Sequence, residues 1–338
     1  MAWDRKEEYF TGQGSVLISE RTAGGQAVGF RHFGNVSALA IATARNYNVH
    51  KESKSGNRAT DRRTISETNV TMSATCENFS SENIADYTTG LLTKVSAGTA
   101  VAQKYIGTAG LVTAFDHIQV SALDVKAGAT ALVAYTNDAT AWDYKVNLDA
   151  GSILLNASST KLAAPVTDVL VGTKTTITAV IGYVKAGDTV TLSGVTGTDA
   201  ASVNGIPVVV SQVTATGVIV DLDTTGKTIV GTAAKLSGVG VELTVGYSYQ
   251  AQDLIDALAA KERDVWLRFE GLNTAENLEP VVVDVFRLGI QPIAELALFG
   301  DAVQAATING ELMADNLRPV GTSQFYQVRK VGHRNPTI

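Results

Sequence analysis

The sequence predicts a mainly β protein of two domains with few helices. Three observations predict it. Short runs rich in Val, Ile and Thr are punctuated by Gly, Asp and Asn at spacings suited to strands and turns. Strict two-residue alternation of apolar and polar positions recurs, whereas the i, i+3, i+4 spacing of an amphipathic helix is rare. Composition also shifts along the 338 residues, with no arginine between Arg63 and Arg263. A chain of this length supports one large core or two modest ones, and the shifts favour two.

The elements follow in order. The glycines of "FTGQGSV" near the N-terminus mark a turn. Strand-like runs at 36–44 and 64–77 flank "NYNVHKESKSGNRATDRR", residues 46–63, a long polar loop dense in both signs of charge. At roughly 3.3 Å per residue, an out-and-back arm of this length reaches about 25–30 Å, enough to touch a neighbouring subunit. A solvated flexible loop is the bland alternative. In "NVTMSATCE" the residues Val70, Met72, Ala74 and Cys76 share one strand face. Cys76 is the sole cysteine, so it reads as a small buried hydrophobe and no internal disulfide is expected. "SSENIADYTTG" predicts a short helix begun by Ser80 or Ser81 and stopped at Gly90.

Residues 164–240 lack Arg, Phe, Trp and His, and read as a separate module. "GDTVTLSGVTG", "IPVVVSQV" and "GVIVDLDTTG" are the short strands of a small β-sandwich or barrel. We expect an inserted immunoglobulin-like domain at 164–240, with 1–163 and 241–338 forming the discontinuous main domain. "VELTVGYSYQ" alternates, with Val241, Leu243, Val245, Tyr247 and Tyr249 on the packed face. "AQDLIDALAAKE" places Ala251, Leu254, Ile255 and Leu258 at helical spacing and predicts an amphipathic helix. "WLRFEGLNTAENLEPVVVDVFRL", residues 266–288, is a pair of strands with charges set among apolar residues.

Charge limits the function classes. Net charge is −6, a poor balance for gripping nucleic acid with Lys and Arg on phosphates. The acidity is concentrated in the middle: residues 64–262 carry 10 Lys+Arg against 18 Asp+Glu, while residues 1–63 carry 10 against 6. No apolar run reaches the length of a membrane helix and the first residues are charged, which predicts neither a membrane span nor a signal peptide, and folding in the cytoplasm.

The chemistry search is sparse. His32, His50, His117 and His333 have no metal-binding spacing, so no zinc site is expected. "DLDTTG", from Asp221, imitates half of a calcium loop but has Thr232 where the closing Glu belongs, and reads as a strand ending in a turn. No phosphate loop, dinucleotide fingerprint or nucleophile elbow is present. Asp221 and Asp223 alternate onto one face as a glycosidase pair would, although Asp near a turn is the commoner reason. We expect no enzyme, no cofactor and no metal.

Trp266, Arg268 and Glu270 share a face of the first strand of the 266–288 pair. In the return strand Val282, Asp284 and Phe286 share one face, with Val281, Val283, Val285 and Arg287 on the other. Aromatic and charged residues mixed on the second face suit a protein interface, anchored by Trp and Arg. Arg268 with Glu270 or Asp284 is expected as a cross-strand or cross-subunit ion pair. With no His, Ser or Cys beside them, catalysis is the weaker reading.

Several stretches carry a family resemblance. "EEYFTGQGSVLISERTAGGQAVGFRHFGNVSALAI", "HKESKSGNRATDRR", "YSYQAQ", "LRFEGLNTAENLEPVVVDVFRLGIQPIAELALFGD" and "GELMADNLRPVGTSQFYQVRKV" closely resemble the major tail tube proteins of long, non-contractile-tailed bacteriophages. The likeness covers about residues 7–163 and 241–331. It implies a β-sandwich of two roughly orthogonal sheets with a flanking α-helix. It also implies hexameric rings stacked into a hollow tube in the virion tail, assembled in the host bacterial cytoplasm. Double-stranded DNA would pass through the lumen without specific binding. Implied partners are further copies of the chain, a tape measure protein, a tail terminator and distal tail proteins, with no membrane. The arm at 46–63 would reach an adjacent ring, and both terminal segments would contribute to stacking.

The residues fit that expectation. Lys51, Glu52, Lys54, Arg58, Asp61, Arg62 and Arg63 give the arm the mixed charge of a contact that finds its register electrostatically. An acidic conduit repels phosphates rather than holding them. The module at 164–240 departs from the simplest members and is expected on the tube's outer surface. Trp266, Arg268, Glu270, Asp284 and Arg287 are the candidates for contact between subunits. Alternatives are a cell- or glycan-binding β-sandwich adhesin, a hydrolase using Asp221 and Asp223, and the tube of a contractile tail or type VI secretion system.

Overall fold

A computed structural model describes residues 9–54, 56–138, 140–275 and 278–331. In chain order, β1 (Gly12–Glu20), β2 (Arg31–His32), β3 (Val36–Lys51) and β4 (Thr60–Cys76) lead to helix α1 (Ser81–Tyr87) and β5 (Leu91–Val95). There follow β6 (Gly98–Gly107), β7 (Val112–Ala114), β8 (Val120–Ala127), β9 (Thr130–Ala131), β10 (Tyr144–Asn147) and β11 (Ser152–Leu155). Next come β12 (Ala164–Leu170), β13 (Thr175–Ala179), β14 (Thr189–Ser193), β15 (Pro207–Thr214), β16 (Gly217–Val220) and β17 (Lys235–Ser237). The last are β18 (Val241–Tyr249), β19 (Gln252–Asp256), β20 (Asp264–Asn273), β21 (Glu279–Ile290), β22 (Ala306–Leu312) and β23 (Tyr326–Lys330). The chain is mainly β, as its alternating runs require. It divides into two compact units, Lys94–Gln252 and the residues on either side of it.

In the unit made of the two flanking segments, outer in sequence only, eight antiparallel strands join in one sheet ordered β2-β1-β20-β21-β22-β4-β3, with β23 also on β21. β21 changes partner along its length, holding β23 at Val281–Val285 and β22 at Leu288–Ile290. The inward residues are those of the alternation: Val70, Met72, Ala74 and Cys76 from β4 are all buried. Cys76 is fully buried and its thiol meets Phe33 O at 3.4 Å. Helix α1 forms where expected. Ser80 Oγ accepts from Asn83 N at 3.3 Å, and Gly90 N closes the end by donating to Ala85 O at 2.7 Å. Its Tyr87 packs edge-on to Phe33 and Phe79 at 5.8 and 6.0 Å, and burial pushes its hydroxyl well above the ordinary tyrosine range.

Two expectations need correction. The predicted helix at "AQDLIDALAAKE" is instead strand β19, paired with β5. Leu254 and Leu258 are exposed, so the helical stripe finds no surface to bury itself against, and a short helix without packing is marginal. Leu258 has φ of 59°, which ends any right-handed turn, and its N–H donates to Thr88 O at 3.0 Å. Most of the predicted loop at 46–63 is strand: β3 runs to Lys51 and β4 starts at Thr60, closed by Glu52 N to Ala59 O at 2.8 Å. Hydrogen bonds between two polar strands satisfy the backbone without any apolar period that sequence reading detects.

In Lys94–Gln252, six strands close a barrel in the order β12-β13-β16-β15-β14-β17. Of the two forms expected for this module, the small barrel is the one observed, and the immunoglobulin-like sandwich is corrected to it. Register shifts at Val166/Asp168 and Val210/Gln212 bend two strands enough to close it. Gly217 lets β16 approach β13, since a Cβ there would lie 1.9 Å from Ile177 O. Ile177, Val190, Leu192, Val218, Val220 and Leu236 fill the interior. The barrel's strands lie within the expected 164–240, whereas the compact division of the chain falls at 93/94 and 252/253. The same unit holds the sheets β6-β18-β8-β9 and β10-β11-β7. β18 buries Val241, Leu243, Val245 and Tyr247, as its alternation predicts.

Candidate assembly surface

The third neighbour of the β3–β4 hairpin, β22, pairs with β4 only from Val70 to Cys76. Beyond the pair Ala44↔Asn69 the hairpin continues alone as a two-stranded ribbon. Eight further residues to Glu52 carry it about 27 Å outward at roughly 3.4 Å each. Residues 42–51 and 60–67 are exposed on both faces. Isolated ribbons of this kind are marginal in water, so this one is braced by its own side chains. Arg63 stacks over the Tyr47 ring at 3.7 Å, His50 Nδ1 meets Asp61 Oδ1 at 2.6 Å, and Asn46 donates to Glu67 at 2.8 Å.

All seven predicted arm residues lie at the ribbon's far end. Lys51 ends β3, Glu52 accepts from Lys54 N at 2.7 Å, and Arg58 turns the chain with φ of 49°. Asp61, Arg62 and Arg63 begin the return, with Arg62 opposite His50 and Arg63 opposite Val49. The sequence reading missed the apolar side: Tyr47, Val49 and Ile65 are exposed on the ribbon. Of the N- and C-terminal segments, for which the resemblance implies stacking roles, residues 1–8 and 332–338 lie outside the described residues, His333 among them.

The 266–288 pair forms β20 and β21, and the structure brings three of its five candidates, Arg268, Glu270 and Asp284, together. Arg268 stands opposite Asp284. Its Nη1 lies 3.4 Å from Asp284 Oδ1 and its Nε donates to Glu270 Oε1 at 2.6 Å. Arg329 on β23, which sequence reading overlooked, donates to the other Asp284 oxygen. The Asp284 side chain is 5% exposed, so this carboxylate ties three strands within one chain. Sequence separation hides such a partner; the cue is only that Arg329 sits in an alternating run. Trp266 packs edge-on to the buried Phe286 at 5.2 Å, and Arg318 lies 3.8 Å over the same ring.

Arg287 stands elsewhere. Val265 pairs with Leu288 but Leu267 pairs with Val285, so β21 carries an extra residue opposite Trp266. This bulge moves Leu288 into the core and takes Arg287 out of the row with Val281, Val283 and Val285. Arg287 Nε instead donates to Asp264 Oδ2 at 2.6 Å. Strict alternation cannot foresee a bulge.

Other charged groups have local work. Asp221 pairs with Lys174 at 2.6 Å. Asp223 accepts from Thr225 N at 2.8 Å, a turn contact that holds its carboxyl below the usual range. Among the described residues no three His, Cys, Asp or Glu side chains gather as metal ligands do. In Lys94–Gln252, His117 Nδ1 meets Tyr247 OH at 3.0 Å, Tyr247 OH meets Tyr105 OH at 3.1 Å, and Tyr105 OH donates to Asp116 at 3.0 Å. Burial pushes the Tyr105 hydroxyl above its ordinary range.

No curated protein matches the sequence. A family model matches residues 9–170 and 166–329, nearly the whole described chain. The chain belongs to that family, which is described as protein of unknown function UCP028589.

Proposed function

We propose that this chain is the structural subunit of a bacteriophage tail tube, assembling into hexameric rings that stack around a conduit for DNA. The observation that carries the reading is the β3–β4 ribbon, which projects beyond its last sheet neighbour with both faces exposed. Such a ribbon contributes no buried core to its own unit, and its exposed Tyr47, Val49 and Ile65 gain by burial against another surface. The mixed charges from Lys51 to Arg63 set the register of that contact, and β3 offers a long free edge for strand pairing between copies. The tail tube resemblance names the partner as another copy. The two-sheet tube fold and the outer position of the barrel belong to this same reading, as do the tape measure, terminator and distal tail partners.

The test joins Ala44 to Asn69, an existing cross-strand pair, through an Asn-Gly turn, removing the ribbon. The full chain should form rings or filaments by negative-stain microscopy. The shortened chain should melt at a similar temperature and stay unassembled. A full chain that is monomeric at every concentration, or a shortened one that still stacks, removes the proposal.

The adhesin reading keeps one supporting feature. A hollow of about 530 Å³ on the barrel is lined by Thr167, Thr178, Thr216 and the exposed Tyr183. Binding of the barrel to glycans on a broad array, abolished by Tyr183→Ala, would favour it.

A further inference from the structure

Just before β10, two aromatic rings meet at nearly a right angle. Tyr135 and Trp142 have ring centroids 5.6 Å apart and planes inclined at 83°. Each wall is held by the backbone around it: Tyr135 N donates to Tyr144 O at 2.7 Å, and Trp142 O accepts from Asn156 Nδ2 at 2.7 Å. The Tyr135 hydroxyl donates to Asp138 Oδ1 at 2.9 Å, which fixes the ring's tilt and sets a carboxylate at its rim. Both rings stay half-exposed, so the corner is built in advance and open to a ligand.

The corner already holds a cation. Lys145 Nζ lies 4.2 Å from the centroid of Tyr135 and 5.1 Å from that of Trp142, inside the roughly 6 Å over which a ring face attracts positive charge. Lys145 is exposed, and among the described residues its ammonium meets these two faces and no carboxylate or carbonyl. Its three N–H donors are therefore left to water. A quaternary ammonium has no such donors and presents methyl groups to the rings, so the same walls suit it better.

We propose that Tyr135 and Trp142 form a binding corner for a quaternary ammonium group of the choline type, filled by the chain's own Lys145 until such a ligand displaces it. Asp138 at the rim and the acidic balance of residues 64–262 favour a cation over an anion. Lys145 is tethered and competes at high effective concentration. The apparent affinity of the parent chain is lowered by the fraction of time the corner is free. Capture of the cation is independent of whether copies assemble.

NMR observation of the choline methyl groups tests it, with the Trp142 indole N–H as the protein signal. The full chain carrying Lys145→Ala should bind choline with a dissociation constant on the order of millimolar, about tenfold tighter than the parent. Adding Trp142→Ala should remove the binding. Dimethylbutanol, the neutral carbon isostere of choline, should give no response, because it lacks the charge that the ring faces attract. No response of Lys145→Ala to choline at about 0.1 M overturns the proposal, as does an equal response to the neutral isostere. Equal affinity of the parent and Lys145→Ala overturns the displacement of Lys145. The isostere comparison leaves both rings in place, so it decides the matter even where Trp142→Ala fails to fold.

Discussion

Arg329→Ala should destabilise the outer unit more than any other single change among the charges of β20, β21 and β23. Asp284 is nearly buried and is held by two guanidiniums, with Arg268 Nη1 at 3.4 Å and Arg329 on the other oxygen. Without Arg329 the carboxylate keeps one contact, longer than the roughly 2.8 Å of a good charge-assisted bond. Removing one partner of a buried pair costs about 3–5 kcal/mol, and one charged hydrogen bond about 1.5–3. The Arg329 side chain is 52% exposed, so solvent screens part of the interaction and the lower figure, about 2 kcal/mol, is expected. Arg268→Ala should cost about 1 kcal/mol, because it loses the 3.4 Å contact and a half-exposed Glu270. Glu270→Ala should cost at most about 0.5 kcal/mol. Urea unfolding followed by Trp266 fluorescence, with Trp3 and Trp142 replaced by Phe, reads this sheet through the Trp266–Phe286 contact. The denaturant slope should not change, which identifies a stability effect rather than an altered unfolded state. If Arg329→Ala falls within about 0.5 kcal/mol of Glu270→Ala, the claim that Asp284 is a structural tie is refuted.

Other outcomes follow from the second unit. Asp143 is buried, which raises its pKa, but Lys161 at 2.7 Å, Ser159 at 2.5 Å and Val133 N outweigh this and hold its carboxyl below the usual aspartate range. A depressed carboxyl stabilises above its unfolded pKa and loses that contribution as pH falls through the folded one. Lys161→Met should therefore lower the melting temperature near neutral pH, with the gap from the parent closing below pH 3.8; a gap constant with pH contradicts the assignment. Tyr105 has one proton and gives it to Asp116, so Tyr247 must donate to Tyr105 and His117 Nδ1–H to Tyr247. Nitrogen NMR should find His117 protonated at Nδ1 at high pH, and an Nε2–H tautomer would break the chain of donors. Gly217→Ala should cost about 3 kcal/mol or more, since β13 backbone blocks the added methyl; a smaller loss by thermal melting would show that the barrel yields there.

Much of the fold was legible because alternation is read directly from residue type. Val70 to Cys76 and Val241 to Tyr247 bury the residues their period selects. Ser80 and Gly90 marked the limits of α1, since cap chemistry is local. What escaped depends on partners far along the chain. The segment after Tyr249 has helical spacing, yet β5 offers it hydrogen bonds and nothing offers its apolar stripe a surface. The bulge opposite Trp266 displaced Arg287, and Arg329 joined Asp284 from 45 positions away. Residues 46–63 were singled out by charge density, although their strand character comes from pairing across the ribbon.

The barrel has one further property. Its first strand begins where its last one ends, because Ala164 stands directly opposite Leu236 across the two paired strands. Neighbouring antiparallel strands lie only about 5 Å apart, so the host chain sees the whole module as a single short splice. A foreign domain whose two termini are equally close could be grafted there, at a loop-closure cost that grows only slowly with insert length. That makes the site a natural point for exchanging one module for another, and a ready one for displaying cargo.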